Sequence, residues 1–158
     1  MSSRKRKERE MRFMVLVKAT DESEHETSPG NTANNPENAR LLADMGKYNE
    51  ELVKAGVMLA GEGLHPRSKG VRIHYGEGGK KKVVDGPFAE TKELVAGYWL
   101  LQTKTKEECV EWIKRAPFLP GDTVEIRQVF EIDEFAASDP TGELRAQEKR
   151  LRDQVAPR

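Results

Sequence analysis

The 158-residue chain is long enough for a single sizeable core, so one domain with tails is expected. Charged residues make up 34% and apolar residues 36%, with a formal net charge of zero, which fits a highly charged surface. No run of 18 apolar residues occurs and no apolar stretch follows the basic N-terminus, so neither a membrane span nor a secretory signal is expected.

The charges are unevenly placed. Residues 1–10 carry five Lys/Arg against two Glu, and residues 141–158 carry five against three acids. Positions 11–140 therefore hold 17 basic and 22 acidic residues, a poor match to a nucleic-acid partner bound through its phosphates. Cys109 is the single cysteine, which rules out an internal disulfide framework and fits a reducing, cytoplasmic setting.

In chain order, residues 1–10 read as a disordered basic arm, and Phe13 to Val17 is apolar on both faces, as in a strand covered on both sides. Residues 21–35 are polar almost throughout and form a long loop. Asn35-Pro36 supplies a cap and a first-turn proline. Leu41, Met45, Tyr48, Leu52 and Ala55 then follow one helical face, and Gly56 stands where a left-handed glycine would end it.

Val57 to Leu64 is a second strand, with Gly61 and Gly63 permitting a bulge or a close backbone approach. Val71–Tyr75 and Lys80–Val84 flank Gly76-Glu77-Gly78-Gly79, a hairpin signal, and the lysines suit an exposed edge. After the turn at Asp85-Gly86-Pro87, where Gly86 can take φ > 0 and Pro87 fixes φ, Leu94 to Leu101 is the most apolar strand. Its Leu94, Ala96, Tyr98 and Leu100 take one face; Val95, Gly97, Trp99 and Leu101 take the other.

Thr105 and Glu108 have capping-box spacing before a helix whose buried stripe is Cys109, Trp112, Ile113 and Ala116. A last strand alternates Val124, Ile126, Gln128 and Phe130. Positions 136–158 form a charged tail, weakly helical from 142 to 154. This order predicts an α+β fold, a ferredoxin-like βαββαβ plan with an extra β-hairpin over residues 11–135. Two helices cover one sheet face only. Because the first and third core strands are apolar on both faces, a homodimer packed sheet to sheet, a dimeric α/β barrel, is expected.

Val83, the run Asp85-Gly86-Pro87-Phe88-Ala89-Glu90-Thr91-Lys92-Glu93, Ala55-Gly56-Val57, Gly61-Glu62-Gly63-Leu64 and Gly97-Tyr98 together resemble the DGPF group of the YCII-related family. The resemblance covers about residues 11–132 and implies a dimeric ferredoxin-like barrel with a cleft near the dimer-facing sheet. It also implies an association with extracytoplasmic-function sigma factors. The wider family includes a dehydrochlorinase using a His and an Asp. That His falls in the first helix, near Tyr48 here, and Ala116 stands before Pro117-Phe118 where the Asp would be, so neither role carries over.

Asp85 is the leading site candidate, as a base or acceptor at a strand end, and equally as a carboxylate that satisfies turn amides. Glu62 and His65, near the end of the second strand, would complete a proton-transfer set with Asp85. Tyr48, Phe88 and Tyr98 are the candidate ligand-binding residues. No metal-ligand spacing, nucleotide fingerprint or cofactor motif occurs, so no cofactor is expected. The expectation is a small-molecule binder or enzyme with an acid/base cleft; the alternative is a non-catalytic regulatory or interaction module.

Overall fold

The computed structural model describes residues 10–20, 24, 36–86 and 94–155. The basic arm before Glu10, most of the 21–35 loop, and Phe88 with the rest of 87–93 lie outside the described residues. Two units divide the chain, Met1–Gln128 and Val129–Arg158.

The first unit holds strand β1 (Met11–Lys18), helix α1 (Pro36–Lys54), strands β2 (Met58–Gly63), β3 (Val71–Tyr75), β4 (Lys81–Asp85) and β5 (Val95–Thr103), helix α2 (Lys106–Lys114) and strand β6 (Val124–Gln128). Four strands form one antiparallel sheet in the order β2-β5-β1-β6, while among the described residues β3 and β4 pair with each other alone. The fold is thus mixed α+β with antiparallel sheets and, among the described residues, three complete α-helices, the third in the second unit. Strands β2 and β6 are open edges, so the sheet of a single chain is not a closed barrel.

Alternation decides which side of the sheet is buried. Phe13 and Val15 of β1 lie opposite Leu101 and Trp99 of β5, and these four join Tyr48 and Leu52 of α1 and Cys109 of α2 in the core. Both helices therefore cover the same face. On the opposite face Met14 and Leu16 stand opposite Leu100 and Tyr98, all four only half-buried.

The helix stripes are shorter than their sequence periodicity predicts. In α1 the buried positions are Tyr48 and Leu52 with Met45 beside them, whereas Leu41 and Ala55 are exposed. The helix terminates as expected: Gly56 takes φ 70°, its N–H donates to the Val53 carbonyl, and the Val57 N–H donates to the Leu52 carbonyl. That pair of bonds is the Schellman pattern, and Leu52 and Val57 supply its apolar contact. At α2 the Glu108 N–H donates to Thr105 Oγ1 at 3.1 Å. The Glu108 carboxylate, however, accepts from the Lys104 N–H, one residue before the expected partner.

Two further details differ from expectation. Strand β6 stops at Gln128, and Phe130 belongs to the second unit, where its exposed ring lies 5.1 Å from that of Phe135. Gly86 is not in the left-handed region. It is needed because a Cβ there would lie 2.0 Å from the Arg67 carbonyl oxygen. The Gly86 N–H donates to the Gly70 carbonyl at 2.8 Å, clamping the hairpin base against residues 67–70. That turn is held in its own right, since Glu24 Oε2 accepts from the Arg67 N–H and forms an ion pair with its guanidinium, 3.4 Å from Nε.

In the second unit, α3 (Glu143–Val155) begins beyond Asp139, whose buried carboxylate accepts from the Leu144 and Arg145 N–H groups and from Arg145 Nε. Among the described residues no helix is long and apolar enough to cross a membrane.

Candidate functional site

A glycine in a strand leaves the sheet bare on the face where its side chain would stand. Three such positions cluster on the helix-facing side: Gly61 lies opposite Trp99, and Gly63 opposite Gly97. They floor a cleft of about 250 Å³ between the sheet and α1. Met45 and Asn49 of α1, Val17 at the end of β1, Trp99 and Phe118 make the walls.

The glycines are not equivalent. A Cβ on Gly97 would meet the Glu62 carbonyl oxygen at 2.9 Å, and one on Gly61 would meet the Trp99 ring at 2.6 Å. Gly63 has nothing within 4 Å of such an atom, so its bare face opens into the cleft. Gly97 is thus required by strand pairing and Gly61 by the indole.

The aromatic wall is fixed by geometry on several sides. Trp99 packs edge-on to Tyr48, with ring centroids 5.9 Å apart, and to Phe118 at 5.8 Å. Its indole N–H donates to Asn49 Oδ1 at 3.0 Å. The Tyr48 hydroxyl points elsewhere, donating to the Trp112 carbonyl at 2.6 Å. Burial pushes the Tyr48 phenol up to about 12, against the opposing pull of Arg115, so it is a neutral donor at ordinary pH. Burial likewise raises the Cys109 thiol to about 11, assisted by Glu108, which leaves it a packing residue of α2 rather than a nucleophile.

The sequence-predicted site residues are distributed as follows. Glu62 and Tyr98 line the cleft. Because they alternate with Gly61, Gly63 and Gly97, their side chains point to the opposite sheet face and their backbone enters the cleft wall. Tyr48 supports the Trp99 wall from behind. His65 is exposed just beyond β2, where the Leu64 N–H still bonds the Ala96 carbonyl. Asp85 is exposed at the end of β4, and neither it nor His65 lines the cleft. Among the described residues its carboxylate accepts no turn amide. No group of three or more His, Cys, Asp or Glu side chains placed to hold a metal occurs among the described residues.

Sequence reasoning missed Asn49, Gly97 and Phe118 as cleft residues. Gly97 did carry a signal, being a glycine inside the most apolar strand. Asn49 carried one too: it is four positions after Met45, on the same side of α1.

A family model for the YCII-related domain matches residues 11–133. The chain is also 28% identical over 78 residues to an uncharacterised protein of Rhizobium meliloti (strain 1021), covering 49% of this chain and 62% of that relative. The chain thus spans less than two thirds of the length of the relative it matches.

Proposed function

The chain belongs to the YCII-related domain family, and we propose that it binds a small, largely apolar molecule in the cleft between α1 and the glycine floor. The observation that carries this reading is Gly63: an open glycine face over a sheet, walled by a hydrogen-bonded indole, is a slot for a flat group. Backbone groups of residues 61–63 and 96–98, together with the Asn49 amide, supply the polar contacts that would orient it. At about 250 Å³ the slot suits a compact metabolite rather than a nucleotide cofactor.

Within this reading the plan is ferredoxin-like, and a second copy covers the half-buried face of Met14, Leu16, Tyr98 and Leu100, forming the dimeric barrel in a cytoplasmic protein. Glu62, on the opposite sheet face, and His65, just beyond β2, are the acid/base candidates outside the cleft lining. Asp85 belongs to the separate hairpin, outside the cleft lining.

The test is native mass spectrometry of the full chain against a metabolite library, followed by Trp fluorescence titration of each hit. Wild type should bind with a change in Trp99 emission, and Gly63→Val should lose that binding while keeping its fold. Hits that bind Gly63→Val equally well would place the ligand elsewhere. Glu62→Gln and His65→Ala with unchanged turnover of any transformed hit would remove the acid/base roles.

A second reading, an interaction module, is favoured by α3, which exposes Leu144, Leu151 and Val155 along one side. The resemblance supplies an extracytoplasmic-function sigma factor as the partner class. Binding of such a purified factor that survives Leu144→Asp with Leu151→Asp would count against it.

A further inference from the structure

Among the described residues the β3–β4 hairpin is a two-stranded sheet with no third strand, an arrangement that is marginal in water unless something packs on it. Its two faces differ sharply. One carries Arg72, His74, Lys82 and Val84. The other pairs Val71 with Asp85, Ile73 with Val83, and Tyr75 with Lys81. On that second face the apolar side chains are exposed, Val71 at 56%, Ile73 at 49%, Tyr75 at 75% and Val83 at 64%.

The order of residues along this face says what covers it. An acid, Asp85, stands at one end, a base, Lys81, at the other, and the apolar rows lie between. A two-fold axis lying between two such faces and running across the strands reverses the strand direction. It sets the 71/85 row of one copy over the 75/81 row of the other, and the 73/83 row over its own counterpart. Asp85 then meets Lys81 of the second copy, twice by symmetry, while Val71 meets Tyr75. The face is its own complement, which is the requirement for a two-fold contact.

We propose that the Val71–Ile73–Tyr75–Val83 face of the hairpin packs against the same face of a second copy of this chain, registered by Asp85–Lys81 ion pairs. An anionic membrane is the poorer occupant, because the apolar face carries a carboxylate at its rim. The exposed Asp85 carboxylate is accounted for as an interface group, and Lys81, lying 5.9 Å over the Tyr75 ring, is held at the end where the second copy's acid arrives. This goes beyond the cleft reading and does not depend on it.

The experiment is cross-linking of full-length Ile73→Cys with a bismaleimide spanning about 10 Å, the spacing of packed sheets. Ile73 sits in the row that meets itself, and the native Cys109 is buried and out of reach. Val53→Cys, exposed on α1, is the control for random collision. Ile73→Cys should give a cross-linked dimer well above that control. Adding Asp85→Lys should lower the dimer yield about tenfold, since each contact becomes a like-charge pair, and further addition of Lys81→Asp should restore it. This readout does not respond to contact through the four-stranded sheet. Yield no higher than the control would overturn the proposal, as would a charge swap that fails to restore it. Flotation of wild type with anionic vesicles, with no cross-linked dimer, would assign the face to a lipid surface instead.

Discussion

The Trp99 indole N–H and the Asn49 side-chain oxygen are 3.0 Å apart, and this bond ties the centre of β5 to α1 beside the cleft. Trp99 is 5% exposed, so its N–H has little access to water as a substitute. Asn49→Ala should therefore cost about 1–3 kcal/mol, the penalty of a buried donor left unpaired. Urea unfolding followed by Trp emission checks this; an unchanged midpoint would mean that the indole finds another acceptor.

Gly63 and Gly97 face each other in register, yet substitution should separate them. Gly63→Ala puts a methyl group into open space and should alter stability by no more than about 1 kcal/mol, in either direction. Gly97→Ala drives a Cβ onto the Glu62 carbonyl and should cost about 1–3 kcal/mol through strand displacement. Equal thermal midpoints for the two variants would contradict the geometry.

Gly86 supports the hairpin by what it lacks. A Cβ 2.0 Å from the Arg67 carbonyl cannot be accommodated without moving the 67–70 turn or breaking the Gly86–Gly70 bond. Gly86→Ala should therefore destabilise by about 1–3 kcal/mol and raise amide exchange at Gly86 and in β3 and β4. Exchange elsewhere in the sheet should stay slow.

The strands and helices were legible because their signals are local: the continuous apolar runs of β1 and β5, the 3.6-residue stripe of α1, Gly56 at its end and the glycine-rich hairpin turn. The cleft was only partly legible. Gly61 and Gly63 announced a close approach, but that Gly97 lies opposite Gly63 is a matter of register between strands more than thirty residues apart in sequence. Gly86 shows a similar limit. A turn glycine suggests a left-handed residue, whereas here the reason is a carbonyl brought in by a distant segment. Asp85 reads locally as a turn carboxylate, and its row in the hairpin ladder adds that it shares a face with Lys81.

Tyr48 should govern an alkaline transition. Its folded-state value is raised to about 12 from 10.0, first by burial, so the neutral phenol is favoured in the folded protein. Its contribution is fully present below pH 10 and is lost as the pH rises toward 12. Tyr48→Phe leaves the Trp112 carbonyl without this donor and should cost about 0.5–1.5 kcal/mol at pH 7. The gap between wild type and variant should shrink between pH 10 and 12, as measured by urea unfolding at each pH. A gap constant across that range would show that the hydroxyl does not titrate with unfolding.

Asp139 should give the second unit an acid limit. Burial pushes its carboxyl up, but the backbone N–H groups of Arg145 and Leu144, then the Arg145 guanidinium, outweigh burial and hold it below the usual carboxylate value. A depressed value means that the stabilisation is present above the unfolded-state pKa and disappears as the pH falls through the folded one. Amides of Leu144 and Arg145 should therefore lose exchange protection on acidification below about pH 4, ahead of those in β1 and β5. Asp139→Asn keeps an acceptor but removes the charge that faces Arg145. It should make protection at these two amides lower and nearly independent of pH between 3 and 6. Wild-type protection that falls equally in the variant over that range would assign the acid sensitivity to another group.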